Sequence, residues 1–560
     1  MSQAFSADQI DALCGAVPTL EYGALGLEHQ WRHITLALQA SAQNVAGRPE
    51  DTQKLCGQFA LEMTVWALQD HPLDARLLRL AADMDAISGC AAGLPVADWL
   101  TLATAPDLSA PQYADWHAAH TEDDILQTLP APETTGEHSL YWIAAGLDRA
   151  LAGGHFDLAL RILDTLPQSI PERGSLHSRL HAQWALHALS AEEALPILQE
   201  VKHPGFALWH TRQTAALLRL LGEAESATSL FSDLWKTIGF HPNLTLLLHD
   251  AMTPLPQTGL PKGNEAPAIV LYSWNKADEL RQTLISLRDS DTGDAPVILL
   301  DNGSTDDTAA MLDAMADQWN PALFKRITLP VNVGAPAARN WLLSLPEVKE
   351  RPWTVFLDDD IILPKNWLHE LWGTALAHPE AGAVGCTITD HIAPHAIQCA
   401  DFHLLPQEMG QRSFEDLMEH TFVYANAAGE HDSSLTAFTR PCMHVSGCCH
   451  MINMRSVDAC GAFDVRFSPS QFDDLERDMR SCLAGFPSVY NGSLRIRHMQ
   501  HSSLRQANTP AKNGHIFGNK IKLEHIHGEK SIAQLRDTTR TLVLDDLKRK
   551  TTRLHNRAGA

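Results

Sequence analysis

Between residues 268 and 360, four short apolar runs alternate with helical patterns. The runs are AIVLYSW (268–274), APVILLDN (295–302), FKRITLP (324–330) and WTVFLDDD (353–360). The first, second and fourth are apolar at most positions, which is typical of strands buried on both faces of a parallel sheet. Between the first two runs, ADELRQTLISLRD places Leu280, Leu284 and Leu287 on one helical face. Strand–helix alternation of this kind predicts a doubly wound α/β domain.

Each of these predicted strands is followed by polar residues. They are Ser273, Trp274 and Asn275, then Asp301 to Ser304, then Asn332 and Gly334, then Asp358 to Asp360. In open α/β sheets, ligands bind beyond the carboxyl ends of the strands. The sequence therefore predicts a ligand site at this edge of the sheet.

The three consecutive aspartates Asp358–Asp360 are the most specific of these features. Carboxylates at the end of a buried strand repel one another and lose hydration, and a divalent cation offsets both costs. Oxygen ligands suit Mg²⁺ or Mn²⁺. Because side chains alternate along a strand, we expect Asp358 and Asp360 to share one face and Asp359 to take the other. A solvated acidic turn is the alternative for these residues taken alone.

The first 250 residues favour helices, because apolar residues recur every three or four positions. Segments 140–166, 181–201 and 209–235 each predict two helices joined by a turn, and they resemble degenerate tetratricopeptide repeats. A plain helical bundle is the alternative. Residues 252–267 contain four prolines and two glycines, which favours a linker. We therefore predict an α-helical, tetratricopeptide-like domain over 1–251 and a linker over 252–267.

The net charge of −24 is unevenly distributed along the chain. Residues 1–250 contain 13 Lys and Arg against 30 Asp and Glu, and the remainder contains 30 against 37. Neither part has the basic excess typical of nucleic-acid binding, so no nucleic acid is expected as a partner. The acidic helical part favours a neutral or basic partner instead.

Targeting and cysteine patterns are unremarkable. No stretch contains 18 uninterrupted apolar residues, so no membrane span is expected, and the N-terminal residues lack the features of a secretory signal. The ten cysteines match no disulfide framework, so we expect a cytoplasmic protein with reduced thiols.

A zinc site is suggested by one group of cysteines and histidines, Cys442, His444, Cys448, Cys449, His450 and Cys460. No CxxC pair is present among them, so we expect these cysteines to be small buried residues.

Six segments together resemble family 2 glycosyltransferases with the GT-A fold. They are IVLYSWNKADELRQTLISL, VILLDNGSTDDTAAML, NVGAPAARNW, FLDDDIILPKNWLHEL, VSGCCHMINMRSVDACGAFDVRF and QFDDLERDMR. The resemblance implies an α/β GT-A domain over 268–505 and leaves 506–560 as a C-terminal helical extension. It also implies an inverting transferase that moves a sugar from a nucleotide-diphosphate donor, UDP-sugar first, to a glycan, lipid-linked glycan or protein acceptor. The implied cofactor is Mn²⁺ or Mg²⁺.

The same resemblance implies roles for individual residues. The donor would contact Asp301, Arg339 and Asp358, to which we add Ser273 and Asn275 at the end of the first strand. The metal would be held by Asp360 and His498, with His501 close enough to compete. Asp474 is expected as the general base and Asp473 as its alternate. Leu475 and Glu476 depart from the family pattern here, which leaves that choice open.

Two other functions are weighed against this one. A helical scaffold or interaction protein with a degenerate transferase domain would not need an intact set of carboxylates. A nucleotidyltransferase would show a Gly-rich loop after the first strand, whereas SWNKADEL has no glycine. The N-terminal helical domain is expected to hold the acceptor or a protein partner. Residues 531–557 predict one helix with a basic end, for which a capping role is favoured over contact with anionic lipid.

Overall fold

The computed structural model describes residues 4–42, 49–109, 115–116, 119, 121–129, 136–255, 258–406, 420–432, 434–499 and 510–558. The part before residue 253 is helical. Its α-helices are α1 (Ala7–Ala16), α2 (Leu27–Ser41), α3 (Glu50–Asp70), α4 (Ala75–Ser88), α5 (Val96–Ala103), α6 (Glu122–Thr128), α7 (Ser139–Ala152), α8 (Phe156–Asp164), α9 (Arg173–Ala188), α10 (Ala191–Leu198), α11 (Ala207–Leu220), α12 (Ala224–Thr237) and α13 (Pro242–Met252).

Three helix pairs occupy the segments in which two helices each were predicted. The pairs are α7 with α8, α9 with α10, and α11 with α12, and each helix packs against the next one along the chain. Local sequence explains where some of them begin. Ser190 caps α10 through the Glu193 N–H, and the Glu193 side chain accepts from the Ser190 N–H in return. The resemblance to tetratricopeptide repeats stays a prediction.

The part from residue 268 onward contains all the named strands. They are β1 (Ala268–Ser273), β2 (Val297–Asp301), β3 (Phe324–Thr328), β4 (Trp353–Leu357), β5 (Ile361–Ile362), β6 (Ala383–Asp390), β7 (Ile397–Cys399), β8 (Asp401–Leu404), β9 (Val423–Ala425), β10 (Thr439–Cys442), β11 (His444–Val445), β12 (Cys449–Asn453) and β13 (Ser488–His498). The helices are α14 (Ala277–Arg288), α15 (Thr308–Met315), α16 (Ala335–Ser344), α17 (Pro346–Lys349), α18 (Trp367–Ala377), α19 (Met454–Cys460), α20 (Asp473–Leu483), α21 (Pro510–Ile526) and α22 (Glu529–Ala558).

The large sheet has the order β10-β13-β6-β12-β4-β1-β2-β3. Strands β3, β2, β1 and β4 run parallel, and β12 is antiparallel between β4 and β6. Alternate residues of β1 face two different cores, since Ile269 and Leu271 pack into one cluster and Val270 into the other. The expected α/β architecture with strands buried on both faces is therefore confirmed. A small second sheet has the order β11-β8-β9.

The hydrophobic core of the helical part extends into the α/β part. Helix α13 ends at Met252 and β1 begins at Ala268, on either side of the proline-rich segment. That core nevertheless includes side chains from beyond the proline-rich segment. They are Phe438, Val445 and Tyr490, together with Leu547 and Leu554 of α22. The two parts are thus distinct in secondary structure and continuous in packing.

A buried arginine of the α/β part, Arg440, links it to the helical part. The Arg440 Nε lies 2.6 Å from the Asp401 Oδ2, and both side chains are almost fully buried. The same guanidinium donates to the carbonyl oxygens of Glu21 and Tyr22, at 3.2 and 2.7 Å. The Tyr22 ring also stacks on the His403 ring, with centroids 4.3 Å apart. The N-terminal segment is therefore held on the α/β part by charge-assisted hydrogen bonds.

The basic end of α22 faces the acidic helical part. Lys548 Nζ lies 2.8 Å from Asp11 Oδ1, and Lys550 Nζ lies 3.2 Å from both Asp250 Oδ1 and Asp546 Oδ2. The predicted helix over 531–557 is observed as α22, and its cations offset part of the acidic excess of the first 250 residues. Within the ranges given above, no helix combines the length and apolarity that a membrane crossing requires.

The two lysines provide a matched test of this packing. We expect Lys550→Met to lower the free energy of unfolding by about 3 kcal/mol, because it removes the buried cation that Asp250 and Asp546 share and leaves Asp546 only the half-exposed Arg549. Lys548→Met, at a half-exposed pair, should change it by less than about 1 kcal/mol. Urea unfolding followed by tryptophan fluorescence measures both. Equal effects of the two changes would contradict the buried role of Lys550.

Candidate active site

The three aspartates after β4 form a turn that is tied to two other strands. The Asp358 N–H donates to the Cys448 carbonyl at 3.0 Å, and the Asp360 carbonyl accepts from the Met499 N–H at 2.7 Å. The three residues lie in the turn between β4 and β5 and not within a strand, so the expected division of their side chains between two faces stays a prediction. Their directions are set by the partners described next.

Asp359 and Asp360 share the ammonium group of Lys276. Its Nζ lies 3.1 Å from Asp359 Oδ1 and 2.7 Å from Asp360 Oδ2. The Ser273 hydroxyl donates to Asp359 Oδ2 at 2.6 Å, and His498 Nε2 lies 3.0 Å from Asp360 Oδ1. Asp359 therefore faces β1, while Asp360 lies between a lysine and a histidine.

These contacts shift the pKa values of the group in different directions. Burial and the neighbouring carboxylates raise the pKa of Asp359 to about 6, in spite of Lys276. Burial opposes ionisation of Asp360 as well, but His498 and Lys276 outweigh it and hold its pKa well below the usual range. Burial opposes protonation of His498, yet Cys448 and Asp360 raise its pKa to about 11. The opposite shifts of Asp360 and His498 thus have one shared cause, the contact between the two side chains.

A set of metal-ligating groups lies at the same place. One ligand atom each from Asp358, Cys448 and His498 come within 4.8 Å of one another. The His498 Nδ1 lies 2.7 Å from Gln398 Oε1 and 3.8 Å from Cys448 Sγ. Carboxylate, thiol and imidazole groups suit a divalent transition metal better than Mg²⁺. The residues present therefore fit such an ion, and Asp360 as a ligand stays a prediction.

The position of Cys448 differs from the sequence expectation. Cys442 and Cys449 are buried as expected, and all ten cysteines are free. Cys448 is only half-buried, and its thiol points at the His498 ring. The reason is the turn after β11, which brings residues 446–448 to the end of β4 instead of into the core.

Arg339 links the aspartate turn to the start of α20. Its Nη1 lies 2.7 Å from Asp473 Oδ2 and its Nη2 lies 3.9 Å from Asp358 Oδ1. Asp473 is 2% exposed, and burial raises its pKa to about 6 although Arg339 opposes this. The structure thus encloses Asp473 in an ion pair.

Asp474 has a different environment from its neighbour. It is half-buried, its Oδ1 accepts only from the Leu475 N–H, and no cation lies within ion-pair distance among the described residues. A Cβ placed on Gly447 would lie 2.1 Å from Asp474 Oδ2, so this carboxylate lies against the residue before Cys448. Burial would raise the pKa of Asp474, but His444, Arg339 and His450 together lower it. Asp474 is therefore an ionised carboxylate with an unpaired oxygen near the metal-ligating groups.

His444 and His450, which lie among the residues that suggest zinc in the sequence, support α20 instead. Asp478 is fully buried, with His444 Nδ1 at 2.7 Å and His450 Nε2 at 3.1 Å from its Oδ2. Arg477 Nη1 lies 3.1 Å from its other oxygen. This buried network fixes the helix that carries Asp473 and Asp474 at its start.

The remaining predicted residues form the loops beside the aspartates. Asp301 is 2% exposed, and its Oδ1 accepts from the Ser304 N–H at 2.9 Å. Asn275 is exposed, and its Oδ1 accepts from the Thr305 N–H at 2.7 Å. Ser273 is fully buried behind Asp359. His501 lies outside the described residues.

Three residues of the site were not predicted from the sequence. They are Lys276, Gln398 and Cys448. Lys276 lies one residue before α14 and carried no motif, and Gln398 lies in a segment without periodicity. Polar residues next to strand ends are the one signal that would have found Lys276.

One family model matches a segment of the α/β part. Residues 268–435 match the family model Glycosyl transferase family 2. The chain carries a family 2 glycosyltransferase domain. The α/β part is the GT-A domain that the resemblance implied, and the all-helical region precedes it. The matched segment spans less than a third of the chain and includes the three aspartates, whereas Asp473, Asp474 and His498 lie beyond it.

Solved glycosyltransferase structures are also similar to the chain. One is the mannosyltransferase PcManGT from Pyrobaculum calidifontis in complex with GDP-Man and Mn²⁺, at 14% identity over 63% of this chain and 87% of that one, with a TM-score of 0.33. Another is GalNAc-T7 with UDP, GalNAc and Mn²⁺, at 13% identity over 49% of this chain and 54% of that one, with a TM-score of 0.34. No curated protein sequence matches the chain significantly.

The thiol at the candidate metal site can be tested in this glycosyltransferase without a turnover assay. We expect added Co²⁺ to produce a thiolate-to-cobalt charge-transfer band in the near ultraviolet, because Cys448 lies within reach of the same ion as Asp358 and His498. Cys448→Ser should remove the band. Cys460→Ser, at a half-buried cysteine outside this group, should keep it. A band that survives Cys448→Ser would exclude the thiolate as a ligand.

Proposed function

We propose that this protein is an inverting, metal-dependent glycosyltransferase that uses a nucleotide-diphosphate sugar, with UDP-sugars as the first donors to test. The observation that carries the proposal is the unpaired Asp474 carboxylate held against Gly447, next to Cys448 of the metal-ligating group. A base on one side of a reacting sugar and a charge-stabilising group on the other are what a single displacement needs. The family match to residues 268–435 supports the reaction class.

The proposed reaction is one displacement at the anomeric carbon. The acceptor hydroxyl attacks that carbon while its proton passes to Asp474 Oδ2. The bond from the anomeric carbon to the diphosphate oxygen breaks, and its electron pair leaves with the nucleotide diphosphate. One displacement inverts the anomeric configuration.

Other residues hold the reactants in this scheme. Asp301 would contact the nucleotide base, and Arg339 and Asp358 would orient the ribose and phosphates, with Asn275 at the loop beside them. Ser273 acts indirectly, because its hydroxyl fixes Asp359 and is itself buried. A divalent ion held by Asp360 and His498, with Asp358 and Cys448 in reach, would act as a Lewis acid towards the charge that develops on the diphosphate.

The two carboxylates at the start of α20 are distinguished by substitution. We expect Asp474→Asn to lower kcat by about 10²–10⁴, the usual contribution of a general base, with donor affinity unchanged. Asp473→Asn removes the partner of Arg339, so its main effect should be on thermal stability. Initial rates and donor titrations on the same preparations measure both. An active Asp474→Asn protein beside an inactive, folded Asp473→Asn protein would reverse the assignment.

The metal requirement is tested by nucleotide release. With a panel of UDP- and GDP-sugars, we expect release in Mn²⁺, loss of release with a chelator, and recovery when Mn²⁺ is returned. Asp360→Ala should abolish release because it removes the carboxylate between Lys276 and His498. If no donor releases nucleotide in Mn²⁺ and Asp360→Ala changes nothing, the protein is the non-catalytic helical scaffold instead.

A further inference from the structure

A cavity of about 700 Å³ lies between the helical region and the catalytic region. On the helical side it is lined from α7, α9 and α11, the first helix of each of the three pairs, and from the starts of α2 and α4. On the catalytic side it is lined by His395 and by residues 429–432. Its volume is in the range of small-molecule sites, and no residue of the catalytic machinery proposed above lines it.

The catalytic wall of the cavity is connected to the active site by one strand. The Ile397 N–H donates to the Glu430 carbonyl and the Gly429 N–H donates to the Ile397 carbonyl, both at 2.9 Å. The next residue, Gln398, bonds the His498 ring. From His395 to Gln398 is three residues, or about 10 Å of extended chain. A ligand in the cavity therefore lies a short distance from the candidate metal site.

The charged groups in the cavity are mostly paired with one another. Arg76 Nη2 lies 2.6 Å from Glu28 Oε1 and 3.1 Å from Asp74 Oδ2, while Arg212 pairs with Asp70. Lining carboxylates outnumber lining guanidinium groups. The third guanidinium, that of Arg179, has no carboxylate partner, but it is buried and donates to the carbonyl oxygens of Gln69 and Asp70 and to Gln183 Oε1. The cavity thus disfavours phosphate, sulfate or carboxylate ligands.

The Glu430 carboxylate and His187 Nε2 are two of the polar groups of the wall that have no hydrogen-bond partner among the described residues. The Glu430 carboxylate makes no hydrogen bond and no ion pair with any described residue, and it lies against Gly26, where a Cβ would come within 2.1 Å of it. Burial and the nearby Asp148 raise the pKa of Glu430 to about 7. His187 is nearby, with its ring 4.7 Å from that of His431, and its buried Nε2 has no partner. The buried His187 Nε2 is an acceptor that costs free energy while no group donates to it. The half-buried Glu430 carboxylate can accept from water or from a ligand in the cavity.

We infer that this cavity binds the acceptor, and that the acceptor end held there is a neutral or amine-bearing saccharide. The inference rests on the proposed transferase function. Hydroxyl and ammonium groups are the donors that the Glu430 carboxylate and His187 Nε2 lack. Tyr141, which is half-buried, and the leucines of the wall suit the apolar face of a sugar ring. A basic peptide is the competing occupant, and its binding is one outcome of the test.

The test is saturation-transfer NMR on the full chain. The probes are methyl glycosides of glucose, galactose and mannose, with N-acetylglucosamine, glucosamine, glucuronic acid and a short lysine-rich peptide. We expect transfer to one or more of the neutral or amino sugars and weaker transfer to glucuronic acid. Glu430→Gln, which keeps the shape and removes the charge, should weaken binding about tenfold, the effect of one charge-assisted hydrogen bond.

A matched pair of substitutions locates the binding. Ala145 of α7 lines the cavity, so Ala145→Trp should fill it and abolish transfer. Ala152, at the exposed end of the same helix, does not line it, so Ala152→Trp should bind as the unchanged protein does. Unchanged saccharide binding in Ala145→Trp would overturn the assignment, as would transfer to the peptide alone or to none of the probes.

Nucleotide release by the unchanged protein is measured alongside, so that a failure of the cavity site can be told apart from a failure of the proposed transferase function. Release of nucleotide without saccharide binding would refute the cavity as the acceptor site and would still support the transferase function. Saccharide binding that Ala145→Trp abolishes, in a protein that releases no nucleotide from any donor, would support the saccharide site and refute the transferase.

Discussion

Burial of carboxylates with a dedicated cation is the constraint on which this structure depends. Asp401 has Arg440, Asp473 has Arg339, and Asp360 has Lys276 with His498. A buried carboxylate without such a partner costs several kcal/mol, so each pair fixes the relative position of the two segments that supply it. Asp474 and Glu430 lack an ion-paired cation among the described residues. The first is the proposed base and the second lines the proposed acceptor cavity, so both proposals rest on carboxylates that the fold leaves without a cation.

The strand ends were predictable because each is marked by neighbouring residues in the sequence. Apolar runs followed by Asp301 and by Asp358–Asp360 fix both the sheet and its ligand-binding edge, and β1, β2 and β4 are observed where these runs lie. His498 beside Asp360 followed from the family resemblance, and the structure places its Nε2 3.0 Å from that carboxylate. The family resemblance favoured Asp474 over Asp473, but the sequence did not reveal how differently the two are surrounded. That difference arises from the pairing of Arg339 with Asp473, a contact across 134 positions of the chain.

Long-range pairing explains the other parts that sequence patterns did not reveal. Arg440 meets the carbonyl of Glu21 across 419 positions, and no periodicity relates the two. Lys276 and Cys448 reach the aspartates because a helix start and a turn are brought to the same sheet edge. The uneven charge along the sequence also has a partial explanation, since cations of α22 pair with Asp11 and Asp250 of the acidic part. These relations exist only once the fold has formed.

The continuous core has a consequence for exchanging parts of this protein. The proline-rich segment separates helices from strands in sequence, yet Phe438, Val445 and Tyr490 pack into the helical core, and Leu547 of α22 does so as well. Cutting the chain at that segment would leave these apolar side chains in water on one fragment and their partners in water on the other. A chimaera that joins this catalytic sheet to a foreign helical region must therefore redesign the shared packing surface, and the proline-rich segment is not a natural crossover point for recombination.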